Sequence, residues 1–171
     1  AADPAAIDAA LPRGWNLEPT ARWLGRRASE LEIDRRHRVE ARDTVTSAPE
    51  LVRASLNMAM AHIDLRLSYL GERLVYGGHT IFMTFAAVTR ALPNLLTLLA
   101  WDRCDHTAPV LEGDRLRSEF TVTARRAAPG AAGGELLQVH AETFAARGPI
   151  AADGAEAESK VLDWSFWAWS A

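Results

Sequence analysis

Residues 78–92 hold an apolar run with no polar face, and that run constrains the fold more than any other feature. Ile81, Phe82, Met83, Phe85, Ala86, Ala87, Val88, Ala91 and Leu92 all fall within it. On a helix these side chains point in nearly every direction, so other protein must wrap it. Gly77 and Gly78 precede the run and Pro93 ends it. No apolar run in the chain reaches the roughly 18 residues of a membrane span.

The wrapping material is written on both sides of this segment. Residues 38–46 alternate, with Val39, Ala41 and Val45 on one face and Arg38, Glu40, Arg42 and Thr44 on the other, which predicts a strand. Residues 95–102 are a short apolar run. Residues 115–126 set Leu116, Ser118, Phe120, Val122 and Ala124 against Arg115, Arg117, Glu119, Thr121 and Thr123. Residues 135–146 place Leu137, Val139 and Ala141 inward, after a turn at 129–134. A polar loop at 148–159 leads to a last strand at 160–169, apolar on both faces, with Trp164, Phe166, Trp167 and Trp169. Before the buried helix, Ser47-Ala-Pro-Glu50 has the capping-box pattern. It predicts a helix from Ala48 whose stripe runs through Val52, Leu56, Ala59, Ile63, Leu67 and Leu70 to a stop at Gly71.

The order strand, helix, buried helix and four strands is an α+β pattern. An antiparallel sheet curled around one apolar helix buries both, and that is the hot-dog arrangement. The chain divides into an N-terminal arm, 1–37, broken by Pro4, Pro12, Gly14 and Pro19, and a hot-dog domain, 38–171. Trp15 and Trp23 are expected to pin the arm to the core. The last strand carries more aromatic bulk than one face can bury. A dimer or higher oligomer is therefore expected, with that strand or the central helix near the interface.

Composition removes several function classes. The net charge of −3 supplies no basic field for nucleic acid. Cys104 is the only cysteine, which fits a reducing cytoplasm and reads as a packed thiol. The start of the chain, with Asp3, Pro4 and Asp8, lacks the pattern of a signal peptide. Lys160 is the only lysine and the other basic residues are arginines, read mainly as codon bias of the source. No zinc spacing, Walker motif or dinucleotide fingerprint is present.

The chemistry-bearing residues cluster between Leu56 and Asp114. Gly77 and Gly78 open the central helix, whose first N–H groups lack partners inside the helix and sit at its positive end. Without a Cβ, the pair lets a thioester carbonyl approach those donors, as an oxyanion hole requires. His79 follows and can line the same pocket or merely open the helix. Upstream stand Asn57 and His62-Ile63-Asp64. The imidazole of His62 suits a general base near neutral pH. Asp105-His106 reads, by its residues, as a solvated patch.

These residues, with Arg73-Leu-Val-Tyr-Gly-Gly-His79 and Ala108-Pro-Val-Leu-Glu-Gly-Asp114, resemble the MaoC-like hot-dog enoyl-CoA hydratases and dehydratases. The 73–79 run resembles the mesaconyl-CoA (2-methylfumaryl-CoA) hydratase branch most. The resemblance is carried by residues 50–126, and by pattern alone beyond them. It implies that His62 and Asp64 match the family's catalytic His and following Asp, and that Gly77 matches its helix-opening Gly. It also implies a place near the acyl pocket for Asp105-His106. Asn57 stands where the family has a catalytic Asp, and Met58 to Ala61 replace an Asn-Pro turn. Five residues of continuous helix would set Asn57 and His62 about 140° apart. Asn57 is thus either an orienting group beyond a break in the helix or a helix-surface residue.

The implied activity is hydration of a 2-enoyl-CoA or dehydration of a 3-hydroxyacyl-CoA, with a branched or dicarboxylic acyl group such as mesaconyl among the options. Catalytic groups would be His62, Asn57 and Asp64; Gly77, Gly78 and His79 would hold the thioester. No metal or redox cofactor is expected, because the thioester acidifies the α-carbon itself, and CoA is part of the substrate. Two alternatives stand beside it: an acyl-CoA thioesterase, and a non-catalytic hot-dog subunit whose site a partner subunit completes. The expected partners are the acyl-CoA and a second hot-dog unit, with no nucleic acid and no membrane.

Overall fold

The structure is a computed structural model and describes residues 1–23, 30–130, 133–150, 154 and 156–171. Its centre is one antiparallel sheet of β1 (Arg36–Thr44), β2 (Leu95–His106), β3 (Arg115–Ala127), β4 (Glu135–Ala146) and β5 (Glu158–Ser170), in the order β1-β3-β4-β5-β2. Among the described residues four α-helices accompany it: α1 (Pro4–Ala9), α2 (Glu18–Trp23), α3 (Ala48–Ala54) and α4 (Gly77–Ala91). This is the α+β hot-dog arrangement that the alternating segments predict. The sheet turns its apolar face onto α4, and Val88 and Leu92 pack there with Phe120, Val122, Val139, Trp164, Phe166 and Ala168. At typical burial values each of those large side chains contributes about 1.5–3 kcal/mol.

Part of the contact between helix and sheet is polar. Thr84, Ser118 and Thr143 are all buried. Thr84 Oγ1 donates to the Thr80 carbonyl at 2.8 Å, so it must accept from Thr143 Oγ1 at 2.6 Å. Thr143 in turn accepts from Ser118 Oγ at 2.8 Å. This chain of hydroxyls fixes the first half of α4 against β3 and β4 and satisfies every member.

Three expectations change. The helix expected from Ala48 to Leu70 ends at Ala54. Ser47 does not cap it with its side chain; its own φ is 55°. Leu56 takes a left-handed φ of 57°, Leu56 N–H donates to Arg53 O at 3.3 Å and Asn57 N–H to Val52 O at 3.1 Å. Those two bonds form a Schellman stop. Beyond it the chain makes two short 3-10 turns, Met60–His62 and Leu65–Leu67. The apparent stripe is not a buried face: Leu56 is 80% exposed and Leu67 58%.

The central helix is also not wrapped on all sides. Val88 is fully buried, but Phe82 is 70% exposed and Phe85 is only half-buried, its ring edge-on to Trp164 and Phe166. The sheet covers one side of α4 and leaves an apolar side open.

Finally, β5 lies between β4 and β2, so its aromatics do not need a partner chain. Trp164 and Phe166 face α4. Trp169, with Trp167 beside it, packs on the opposite face against Ile7, Leu11 and Leu17 of the N-terminal arm. Trp15 packs on Trp169 with the rings tilted and their centroids 5.7 Å apart, as a pinning role requires. The side chain of Trp23 lies outside the described residues.

Candidate functional site

The site is built around the first turn of α4. The segment before it is held by a short ladder: Leu74 bridges Leu111, and Val75 N–H donates to Val110 O at 2.9 Å. Arg73 ties the same segment to the 3-10 turns through Ile63 O at 2.6 Å and to Glu112 at 2.7 Å. The Gly113-Asp114 turn anchors the other side. Asp114 is buried, accepts from Leu111 N–H at 2.8 Å and takes a two-pronged ion pair from Arg147. These contacts give the 73–79 and 108–114 stretches a structural reason to share the site region.

Gly77 and Gly78 begin α4 with Tyr76 at its N-cap. A side chain on either would displace a neighbouring ring. A Cβ on Gly77 would lie 2.7 Å from His106 Nε2, and one on Gly78 would run into the Tyr76 ring. The absence of a Cβ is therefore used for a close approach, with the helix's positive end beneath it. His79 N–H donates back to Tyr76 O at 2.8 Å, which leaves the two glycine N–H groups as the outward donors of this turn.

Two hollows meet here and share Gly77 and His106 in their walls. One, of about 410 Å³, lies toward Tyr69, Leu74, Thr107 and Pro109. The other, of about 660 Å³, is an open groove between α4 and β2, walled by Ile81, Phe82, Phe85, Leu96, Leu98 and Trp101. Its size falls within the roughly 300–1,000 Å³ of small-molecule sites.

His62 is half-buried on the first 3-10 turn. Its Nδ1 lies 2.9 Å from the Leu74 carbonyl. A carbonyl only accepts, so Nδ1 carries the proton and Nε2 is left as the basic nitrogen of the neutral ring. The ring centroid is 6.0 Å from that of Tyr76. Asn57 sits just past the Schellman stop, where its Oδ1 accepts from Ala59 N–H at 2.9 Å. The helix ends before it, so continuous helix no longer forces Asn57 and His62 apart. Asp64 caps the second 3-10 turn through Arg66 N–H and is paired with the Arg66 guanidinium at 2.6 Å. That arginine holds its carboxyl below the usual range. No bond joins Asp64 to His62 among the described contacts.

His79 faces away from the groove. It lines a separate hollow with Leu51 and Ala54 of α3 and with Phe82, its buried Nδ1 has no partner among the described residues, and burial pushes its pKa down. The imidazole that does stand at the glycine pair is His106, at the end of β2, and burial lowers its pKa as well. The residue pattern favours a solvated patch for it, with a place near the acyl pocket as the alternative that the resemblance implies. Nothing in the spacing from Gly77 to His106 signals the contact, which arises because β2 returns alongside α4. Cys104 is half-buried and burial raises its pKa, as for a packed thiol. One further cluster, His140, Glu142 and Asp163, has metal-like spacing. Lys160 Nζ already sits between Glu142 and Asp163, at 3.1 and 2.8 Å, and serves as their cation.

A curled antiparallel sheet, one central helix and paired glycines at that helix's start define a hot-dog domain. No family model matches the chain. It is 34% identical over 77 residues to the beta-methylmalyl-CoA dehydratase of Chloroflexus aurantiacus, covering 43% of this chain and 22% of that one. It is 31% identical over 118 residues to the mesaconyl-CoA hydratase of Cereibacter sphaeroides, covering 66% of this chain and 34% of that one. A conserved hypothetical protein of Mycobacterium tuberculosis with a double hot-dog fold superposes with a TM-score of 0.72 at 38% identity. That match takes in 100% of this chain and 47% of the other. The matches thus span about a fifth to a third of the curated relatives and about half of the solved one. The chain is a hot-dog unit, similar over these stretches to a beta-methylmalyl-CoA dehydratase and a mesaconyl-CoA hydratase.

Proposed function

We propose that this unit adds water to a 2-enoyl-CoA, or removes it from the 3-hydroxyacyl-CoA. The observation that carries the reading is the pairing of an oriented imidazole with a donor-bearing helix start. His62 has its tautomer set by Leu74 O, and its ring neighbours Tyr76, the residue directly before the glycine pair. In hydration, the Gly77 and Gly78 N–H groups hold the thioester oxygen as negative charge gathers on it. His62 Nε2 takes a proton from water as the water oxygen bonds to C3. The His62 imidazolium then gives a proton to C2 of the enolate, which returns the ring to its neutral form. Dehydration is the reverse. The amide of Asn57 is the candidate for orienting the water, and Asp64 shapes the turn that carries His62. His106, packed on Gly77, is the second imidazole that can relay a proton.

A second hot-dog unit, either another copy or a partner subunit, belongs to this proposal. The relatives are longer, and large apolar side chains stand exposed on α4 (Phe82), on the segment before it (Leu56, Met58, Leu67 and Tyr69) and on the edge strand β2 (Trp101). A unit docked there would cover an unpaired edge and roof the groove. The mesaconyl-CoA and beta-methylmalyl-CoA named for the relatives set the first substrates to try.

Two assays on one sample test the activity: loss of enoyl absorbance, and thiol release. The expected result is interconversion without free CoA, with His62→Ala slower by about 10²-fold or more. Thiol release without hydration would make it a thioesterase. Activity that survives His62→Ala but not His106→Ala would move the base to His106.

A further inference from the structure

The groove between α4 and β2 is selective by what it lacks. Its walls are Tyr76, Ile81, Phe82, Phe85, Leu96, Thr97, Leu98 and Trp101, together with the glycine pair and His106. Among these described residues there is no arginine, lysine or carboxylate. The smaller hollow on the other side of His106 has none either. Nearby charges are spent elsewhere. Arg103 on β2 is paired with Asp105, Arg90 on α4 is paired with Asp43, and Asp102 accepts from Gln138 Nε2 at 2.7 Å. The one imidazole in the wall is held toward its neutral form by burial. An acyl group leaving the glycine pair along α4 therefore meets about 10 Å of apolar wall between Gly78 and Phe85.

We infer that this groove takes the uncharged hydrocarbon tail of an acyl thioester longer than crotonyl, and that the chain discriminates against acyl groups bearing a second carboxylate. The inference rests on the acyl-CoA reading above, but it parts from the dicarboxylic substrates named for the curated relatives. A second carboxylate against these walls would give up part of its water and meet no cation among the described lining residues in return. A straight hydrocarbon tail instead gains with each methylene that leaves water.

Unreactive ligands separate this from the question of catalysis. Octanoyl-CoA and succinyl-CoA share the same CoA and differ only in what enters the groove. Calorimetric titration of the intact protein, with free CoA as reference, should show octanoyl-CoA binding at least about tenfold tighter than succinyl-CoA. Phe82→Arg is a safe variant because Phe82 is 70% exposed. By placing a guanidinium at the groove it should narrow that ratio several-fold. Equal affinities, or tighter succinyl-CoA, would overturn the inference, as would no binding of either above free CoA. Turnover is read in parallel. Selective octanoyl-CoA binding with no hydration of 2-octenoyl-CoA would overturn the hydratase reading and leave the groove assignment standing. Hydration of mesaconyl-CoA as efficient as that of 2-octenoyl-CoA would do the opposite.

Discussion

Leu56 holds a left-handed backbone that its side chain disfavours, and much of the site's layout follows from it. With φ at 57° it ends α3 and turns the chain outward before Asn57. Glycine is the usual residue there, and a non-glycine residue in this region costs roughly 1–2 kcal/mol. Leu56 is 80% exposed, so its side chain offers little packing in return. Leu56→Gly should therefore stabilise the protein by about 1 kcal/mol, less the entropy that glycine adds to the unfolded chain. Urea denaturation measures this; a loss of stability would mean that the Leu56 side chain is buried in the working assembly. The same residue explains why the sequence misleads. A leucine at helical spacing from Val52 looks like the next rung of a stripe, and no glycine or proline marks the stop. The place of Gly77 and Gly78 at the start of α4 was legible because a glycine pair directly before an apolar run marks where a helix opens. The contact of His106 with Gly77 was not legible in the spacing, because it is set by strand return.

At the scale of elements, the strands were legible and the exposure of the central helix was not. Alternation fixed the inner faces of β3 and β4 because each has one apolar and one polar side. The last strand is apolar on both sides, which suggested a partner chain. The N-terminal arm supplies that cover instead, with Ile7 buried against Trp169. For α4, an all-round apolar pattern says that cover is needed but not what provides it, and the sheet provides half. The two sides of the helix should respond differently to truncation. Val88, fully buried in the sheet-facing core, should lose about 2 kcal/mol on change to Ala. Phe82→Ala should alter stability by no more than about 0.5 kcal/mol in the isolated unit, despite removing a larger side chain. Equal losses at both sites would show that Phe82 is covered in the protein as it exists, as a docked second unit requires.

Over the whole molecule, charged side chains tie the strands together across the face of the sheet that turns away from α4. Arg36 and Arg42 reach from β1, Arg117 and Glu119 from β3, Glu142 from β4 and Glu158 from β5. Arg117 is the hub. It is buried, stacks over Phe144 at 4.9 Å and grips Glu158 with two bonds of 3.0 and 2.7 Å. That grip, helped by Arg42 and opposed by burial, pulls the Glu158 carboxyl from 4.5 down to about 2. A depressed carboxylate stabilises the fold above its unfolded pKa. Its contribution is thus fully present above about pH 4.5, and is lost as pH falls through that value toward about 2. Glu158→Gln removes the titrating group but keeps much of its shape. The variant should be less stable than the parent at pH 6, by on the order of 2 kcal/mol. The gap should close as pH falls, because the parent then protonates the same oxygen. Urea midpoints taken from pH 6 to pH 2 measure it. A gap that stays constant with pH would mean that Glu158 titrates alike in folded and unfolded chains. The Arg117 grip would then be geometry without coupling, and the sheet's outer face would owe its order to backbone pairing alone.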